Sequence, residues 1–424
     1  MTRLCVYLYD VRLGWLEQDK DPRFFDFKVD PFVFDHFRNA STVMSIAVPL
    51  VSRMNRKHVK RRMNFFSELL PEGRTLSFLA QNARLDETDT FGLLSRYGLD
   101  VAGALKIFPE ADEHYIVNDE EAVADAYDKS PYYSVVDDAQ VRNLLEDMAR
   151  TPLGNAHITG KISLAGMQTK IVLARTKEEQ WAQTHNGYPS THIIKPKSEQ
   201  HPSMIFDESW GLELARRIGL IEYSSELDEF DGLPALVIER YDRNADLPGG
   251  RIHQEDFNQV LGIRGSYKYQ EIGGRVSLKL VAQKLADFTD STEVHLFAEQ
   301  LIFALAIGNL DLHAKNISVL HYFDETSKLS PAYDLVPMQH YENIDRMAMS
   351  VGGEYLHANL KMKHIADELL SWKHYDAASR DSIEEFIAER LAKILKHAEE
   401  VEIPEQAYPK LFENLQENCK RLIS

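Results

Sequence analysis

Cysteine is nearly absent: the 424-residue chain has 2, Cys5 and Cys419, far apart and without partners at metal-ligand spacing. Neither a disulfide framework nor a cysteine-based zinc site is expected. Long apolar runs are missing too. The longest covers residues 301–307, well short of the ~18 residues of a membrane span. The opening "MTRLCVYLYD" holds no long apolar core of a secretory signal. A soluble, cytoplasmic protein is expected. Positive charge is scarce, with 48 Lys+Arg against 66 Asp+Glu and a formal net charge of -18. Binding of nucleic acid by the bulk charge of the chain is thereby excluded. No repeat of fixed period and no low-complexity tract occurs.

What is present is globular: 44% hydrophobic and 10% aromatic residues, in a chain too long for one compact core. The first 40 residues ("LCVYLYDV", "RLGWLE", "FFDFKVD") alternate with period two, which predicts short antiparallel strands. Residues 51–107 turn helical. An acidic passage, 110–138, is the best linker candidate. Beyond it "KIVLART", "STHIIKP" and "PALVIERYD" predict strands, with a helix over "DESWGLELARRIGL". After residue 251 the pattern is mostly helical. The expected parts are 1–110, 111–250 and 251–424. One stretch runs against the overall sign: "SRMNRKHVKRRMNFF" gathers Arg53, Arg56, Lys57, Lys60, Arg61 and Arg62 into one predicted helix. A solvated helix face is the ordinary reading of such a run.

Chemistry concentrates in "IFALAIGNLDLHAKNISVL". Residues 294–307 are apolar nearly all round, which predicts a buried helix stopped by Gly308. "ISVLHYF", "DETS" and "KLSPAY" then predict a hairpin. A turn centred near Glu325 and Thr326 sets Asn316 across from Asp334 within one residue of register. Neighbouring strands lie about 4.8 Å apart, so the two side chains could share Mg²⁺, which takes hard oxygen ligands. Asp311 lies five residues before Asn316. That is the interval of a phosphotransferase catalytic loop, in which the Asp accepts the substrate hydroxyl proton and the Asn holds metal. The alternative is structural: Asp311 caps a turn while His313 and Asn316 satisfy backbone groups.

A kinase reading makes further demands. "THIIKP" offers Lys195 at the end of an apolar strand, followed by a helix with Glu208 in its first turn and Glu213 beyond; Glu208 is the favoured ion-pair partner. An exposed edge lysine is the plain alternative. "GKISLAGMQTK" stands where a phosphate-covering loop belongs, although Gly160 and Gly166 are too sparse for a G-x-G-x-x-G pattern. "VIERYD" stands where an interlobe connector would meet adenine.

With "SLAGMQTK", "THIIKP", "VIERYDR", "HQEDFNQVLG", "DLHAKN" and "YDL" in this order, the chain resembles the HipA-type toxin Ser/Thr kinases of bacterial type II toxin–antitoxin modules. "FFSELLPEG" and "GLLSRYGLDVAGAL" resemble that family's N-terminal subdomain, so the likeness is close to full length. The resemblance implies an α+β, two-lobed protein-kinase-like fold with an extra N-terminal β-rich subdomain and a mainly helical C-terminal lobe. It implies ATP and Mg²⁺ as cofactors, Asp311 as catalytic base, and Asn316 and Asp334 as metal ligands. Lys195, Lys170, His313, Glu239 and Tyr241 would bind ATP, with Glu208 and Gln254 in support. Ser163 would be the loop serine whose autophosphorylation switches the kinase off. The implied partners are a protein substrate, typically an aminoacyl-tRNA synthetase, and a dimeric helix-turn-helix antitoxin in a 2:2 complex that carries the toxin to operator DNA as a repressor. In that setting the six basic residues of 53–62 become candidate DNA contacts. The chain departs from the pattern at Met167 and Thr169 around Gln168, and at Leu312, where Gly is common. These departures bear on substrate preference.

Two rivals remain at this level. Small-molecule phosphotransferases of the aminoglycoside or choline kinase type share the D-x-H-x-x-N loop, but the strand-rich start and "SLAGMQTK" favour the toxin family. A catalytically dead co-repressor is opposed by the intact Asp311, Asn316, Asp334 and Lys195.

Overall fold

The computed structural model describes residues 2–21, 23–117, 131–150, 170–270, 276–342, 345–375 and 377–424. Two compact units emerge. One comprises Met1–Pro196, Glu229–Gly265 and Leu320–Thr326; the other comprises Lys197–Asp228, Ser266–Val319 and Ser327–Ser424.

In the first unit the period-two alternation does become strands. Strands β1 (Arg3–Leu8), β2 (Val11–Gln18), β3 (Phe25–Val29) and β4 (Lys106–Pro109) form an antiparallel sheet ordered β3-β2-β1-β4. Alternation along β1 sends Leu4, Val6 and Leu8 into a core shared with the helices Val59–Ser67, Gly73–Ala83 and Thr90–Tyr97, while Cys5 and Tyr7 face Leu99 and Phe108. Strand β4 begins at the end of the stretch expected to be helical, residues 51–107. It is short, and its place is decided by pairing with β1 (Cys5 opposite Phe108), about 100 residues away in sequence.

The acidic passage is more than a linker. Glu113 begins the helix Glu113–Val117 and accepts from Tyr7 Oη (2.6 Å) and Arg12 Nη1 (2.8 Å). Farther on, β5 (Tyr132–Val135) pairs with β7 (Trp181–His185). With β6 (Ile171–Arg175), β8 (His192–Pro196), β9 (Ser225–Phe230) and β10 (Leu233–Glu239), these strands form a sheet ordered β5-β7-β6-β8-β10-β9. Val141 and Leu145 of the helix Asp138–Arg150 pack on Leu173, Ile194 and Val237 of this sheet. "HQEDFNQVLG", expected to be helical, is half strand: β11 (His253–Asp256) precedes the short helix Phe257–Leu261, and Asp256 and Gln259 make a capping box there. Glu255, fully buried on β11, accepts from Ser45 Oγ (2.7 Å) and the Ile46 amide (2.7 Å) and pairs with His321 Nε2 (2.9 Å).

The second unit is largely helical, with Met204–Arg217, Leu278–Phe288, Ser291–Ile307, Met362–Leu370, Arg380–Ala398 and Leu411–Leu422. Ser291–Ile307 is the expected buried helix, begun three residues earlier. Gly308 ends it in the left-handed region (φ 72°), where the Asn309 amide donates to Ala304 O (2.9 Å). His357 Nε2 reaches Leu305 O (2.8 Å) and Asn418 Nδ2 donates to Ala306 O (3.0 Å), so three of the four last carbonyls of this helix, those of Ala304, Leu305 and Ala306, have protein partners. Among the described residues no helix is long and apolar enough to cross a membrane.

Candidate active site

The polar insert after Gly308 is held by its own backbone and by the side-chain amide of Asn309. The Asp311 carbonyl accepts from the His313 amide (2.8 Å) and from Asn316 Nδ2 (3.0 Å), which closes "DLHAKN" into a compact loop ending in the 3-10 turn Ala314–Asn316. Asn316 is therefore a structural donor through its nitrogen, as the plain alternative supposed, while its Oδ1 is the end that can serve a hard cation. Asn309, 3% exposed, is the missed residue. Its Oδ1 accepts from the Asp311 amide (3.0 Å) and its Nδ2 donates to Asp334 O (3.0 Å), tying two loops together. The signal in the sequence was an asparagine directly after a helix-stopping glycine.

The hairpin exists with a different register. Between β12 (Ser318–His321) and β13 (Ser327–Leu329), the Tyr322 amide donates to Thr326 O (2.9 Å) and the Ser330 amide to Ser318 O (2.9 Å). Extended, this ladder faces Asn316 with Ala332, two residues short of Asp334. The cause is the turn: Asp324 accepts from the Thr326 amide (3.0 Å) and Oγ1 (2.6 Å), and Glu325 takes positive φ (65°), giving a three-residue loop centred on Asp324. Asp334 itself leaves extended geometry (φ 58°). The Asn309 clip, not a ladder pair, joins its loop to the loop of Asp311.

Electrostatically the loop is one cluster. His313 Nε2 lies 3.8 Å from Asp311 Oδ2, and its ring meets Tyr269 at 5.2 Å. Burial above all, then Lys268, holds the His313 imidazole down at about 3, with Asp334 opposing. His313 is thus neutral at physiological pH and supports the loop rather than supplying charge. Lys315 is buried, its carbonyl accepting from Tyr333 Oη (2.8 Å).

In the first unit Lys195 sits opposite Leu236 on β8, 4% exposed, so it is no ordinary edge lysine. Glu239 ends β10, exposed and opposite His192, and Tyr241 Oη donates to Gln254 Oε1 (2.6 Å). Lys170 immediately precedes β6 and is half-buried. Ser163, with the rest of its loop up to residue 169, lies outside the described residues. In the second unit Glu208 is fully buried in the second turn of Met204–Arg217. The first turn holds Asp207 instead, which accepts from Ser203 Oγ (2.8 Å), Tyr341 Oη (2.8 Å) and the Tyr408 amide (2.7 Å). Glu213 is bound by Arg216 and Arg217 of its own helix (2.9 and 2.8 Å).

The basic stretch divides. Arg53, Arg56, Lys57, Lys60 and Arg61 are exposed. Arg62 is 3% exposed, with Nε on Asp26 Oδ1 (2.6 Å) and Nη1 on Asn55 O (3.0 Å). As a DNA contact Arg62 is withdrawn: helical spacing turns it inward, where the β3 carboxylate neutralises it.

These features define the class: an α+β, kinase-like fold whose Asp, Asn and Asp residues stand in two clipped loops. The sequence matches the HipA N-terminal domain over residues 4–108 and the HipA-like C-terminal domain over residues 162–401. The chain belongs to the HipA family of toxin kinases. A putative kinase, Y4mE, of Sinorhizobium fredii is 35% identical over 68% of this chain and 67% of its own length. The serine/threonine-protein kinase toxin HipA of Shewanella oneidensis is 26% identical over 82% of this chain and 78% of its own. The solved complex of S. oneidensis HipA, HipB and operator DNA contains a chain of the same fold, with a TM-score of 0.77 at 22% identity, covering 99% of this chain and 96% of that one.

Proposed function

We propose that the chain is an ATP- and Mg²⁺-dependent Ser/Thr protein kinase acting as the toxin of a toxin–antitoxin pair, in the cytoplasm. The observation that carries this reading is the Asn309 clip, which sets the Asp311 amide and the Asp334 carbonyl on one side chain and so fixes the two carboxylate-bearing loops against each other. In this reading Asp311 takes the substrate hydroxyl proton. Asn316 Oδ1 and Asp334 hold Mg²⁺, a donor set that suits a cation which keeps most of its waters and phosphate oxygens. When bound, the ion neutralises charge on the phosphates. Lys195 and Lys170 hold ATP phosphates, Glu208 and Gln254 support them, and Glu239 with Tyr241 meets adenine. Ser163 is the autophosphorylated serine, and an aminoacyl-tRNA synthetase is the favoured target.

The test is incubation with γ-labelled ATP and Mg²⁺. Label is expected on the wild-type chain and its main site lost in Ser163→Ala. Transfer only to an added aminoglycoside or choline would establish the small-molecule rival, and absence of any transfer the dead co-repressor.

The relative solved with HipB and DNA supports a helix-turn-helix antitoxin and operator DNA as partners here as well. Changing Arg53, Arg56, Lys57, Lys60 and Arg61 to Ala is expected to weaken the toxin–antitoxin–operator complex and flatten its salt dependence, by a slope of about 0.9 per lost phosphate contact. An unchanged slope in a salt titration refutes direct contact. Arg62 is left intact because its loss would report on folding instead.

A further inference from the structure

Behind the connector lies a buried ionic cluster that the mechanism has not used. Arg240 grips Asp242 with two bonds (Nε to Oδ1 2.9 Å, Nη2 to Oδ2 2.8 Å) and sends Nη1 to Ser190 Oγ (2.8 Å). Arg243 reaches Asp242 Oδ2 (2.9 Å) and Asp100 Oδ1 (2.8 Å). Arg251 adds a third guanidinium at 3.2 Å from Asp100 Oδ1, and Ser190 Oγ donates to Asp100 Oδ2 (2.7 Å). None of these five charged side chains is more than 6% exposed. Burial alone would raise the Asp100 carboxyl, yet Arg251, Arg243 and Arg240 together hold it below its ordinary value.

The cluster is arranged around Glu239 and Tyr241. Along 239–242 the side chains alternate: Arg240 and Asp242 are buried in the cluster, Glu239 is exposed and Tyr241 half-buried. Asp100 comes from the front part of the chain. It is an acceptor shared by Arg243 and Arg251, the residues that form a β-bridge after the connector. The neighbouring segment joins in, because the Gly103 amide donates to Asp242 Oδ2 (2.7 Å) and Arg251 Nη1 donates to Leu99 O (3.0 Å). With three guanidiniums and two carboxylates, the cluster keeps one excess positive charge. Neutralising Asp100 raises that excess to two among buried side chains, a cost that a shift of Arg243 and Arg251 would relieve.

We infer that Asp100 is a positioning residue for nucleotide binding, setting the backbone course of 239–242 through Arg243, Arg240 and Asp242. This rests on the reading of Glu239 and Tyr241 as the adenine connector. Its signature is a split between KM and kcat, because a displaced connector loosens ATP while Asp311 and Asp334 stand on other loops.

The experiment compares Asp100→Asn, the milder Ser190→Ala and Tyr241→Ala in the full chain, well below each variant's melting temperature, varying ATP at a fixed excess of Mg²⁺. The expected result is a rise in KM for ATP of about tenfold in Asp100→Asn and about threefold in Ser190→Ala, with kcat within twofold of wild type. Asp100→Glu, which keeps the charge, should recover most of the affinity. An unchanged KM in the folded variants, with KM raised in Tyr241→Ala, overturns the inference and leaves the connector standing. An unchanged KM in Tyr241→Ala as well removes the connector reading and this inference with it. Should Asp100→Asn not fold, Ser190→Ala decides by the same split.

Discussion

Replacing Asp311 by asparagine is expected to lower kcat for phosphoryl transfer roughly a thousandfold, within the range of a lost general base. Three bonds that shape the loop end on the Asp311 backbone. Its carbonyl receives the His313 amide and Asn316 Nδ2, and its amide donates to Asn309 Oδ1. The side chain, 39% exposed, lies 3.8 Å from His313 Nε2, and none of these three bonds uses it. Asparagine keeps the shape and loses the proton acceptor. Single-turnover measurements with labelled ATP should therefore show slow chemistry with ATP affinity and melting temperature nearly unchanged. A variant of near wild-type rate would remove Asp311 from the mechanism, and a large fall in melting temperature would assign it a structural role.

The second large effect is expected at Gly211, on the helix Met204–Arg217, where the usual sign of a substitution should reverse. Alanine in a helix interior normally gains up to about 1 kcal/mol over glycine. At Gly211 a Cβ would lie 2.2 Å from the Leu335 carbonyl oxygen, and backbone cannot yield as a flexible side chain does. Overpacking of that kind costs roughly 1–3 kcal/mol, so Gly211→Ala should lower stability despite its better propensity. Activity should fall as well, by about tenfold, because Leu335 follows Asp334, whose carbonyl Asn309 holds, and Tyr223 Oη pins the same loop through Ala332 O (2.7 Å). Urea denaturation and kcat measured on one preparation check both parts. A more stable variant would mean that the 332–335 loop can move aside.

Local signals carried much of this protein. The apolar helix before Gly308, the Asp311-to-Asn316 interval, the strand bearing Lys195 and the alternation of β1 to β3 all depend on period, turn chemistry and spacing within a few residues. The Asp311-to-Asn316 interval is that of a phosphotransferase loop, so the sequence could point to that chemistry. Strand β4, by contrast, is four residues whose pairing partner lies about 100 residues upstream. No window contains both.

The same limit governs the fine structure of the site. Whether Arg62 faces solvent or Asp26 was settled by helix spacing against a strand far off in sequence. The two-residue difference in hairpin register came from Asp324 capping its own turn, a competition between neighbouring turn residues that composition does not rank. Asp100 is a polar residue of no special local pattern, and Asn309 is marked only by following a helix-stopping glycine. Their roles arise because folding brings to each side chain partners that chain distance would never suggest: Asp334, 25 residues on, for Asn309, and Arg243, 143 residues on, for Asp100. By itself the sequence pointed to candidate groups for the chemistry and to the loops in which they stand. Only the tertiary structure decided how those loops are clipped and braced, because a hydrogen bond or a buried charge is specified by a pair of residues, and the pair exists only once the chain has closed on itself.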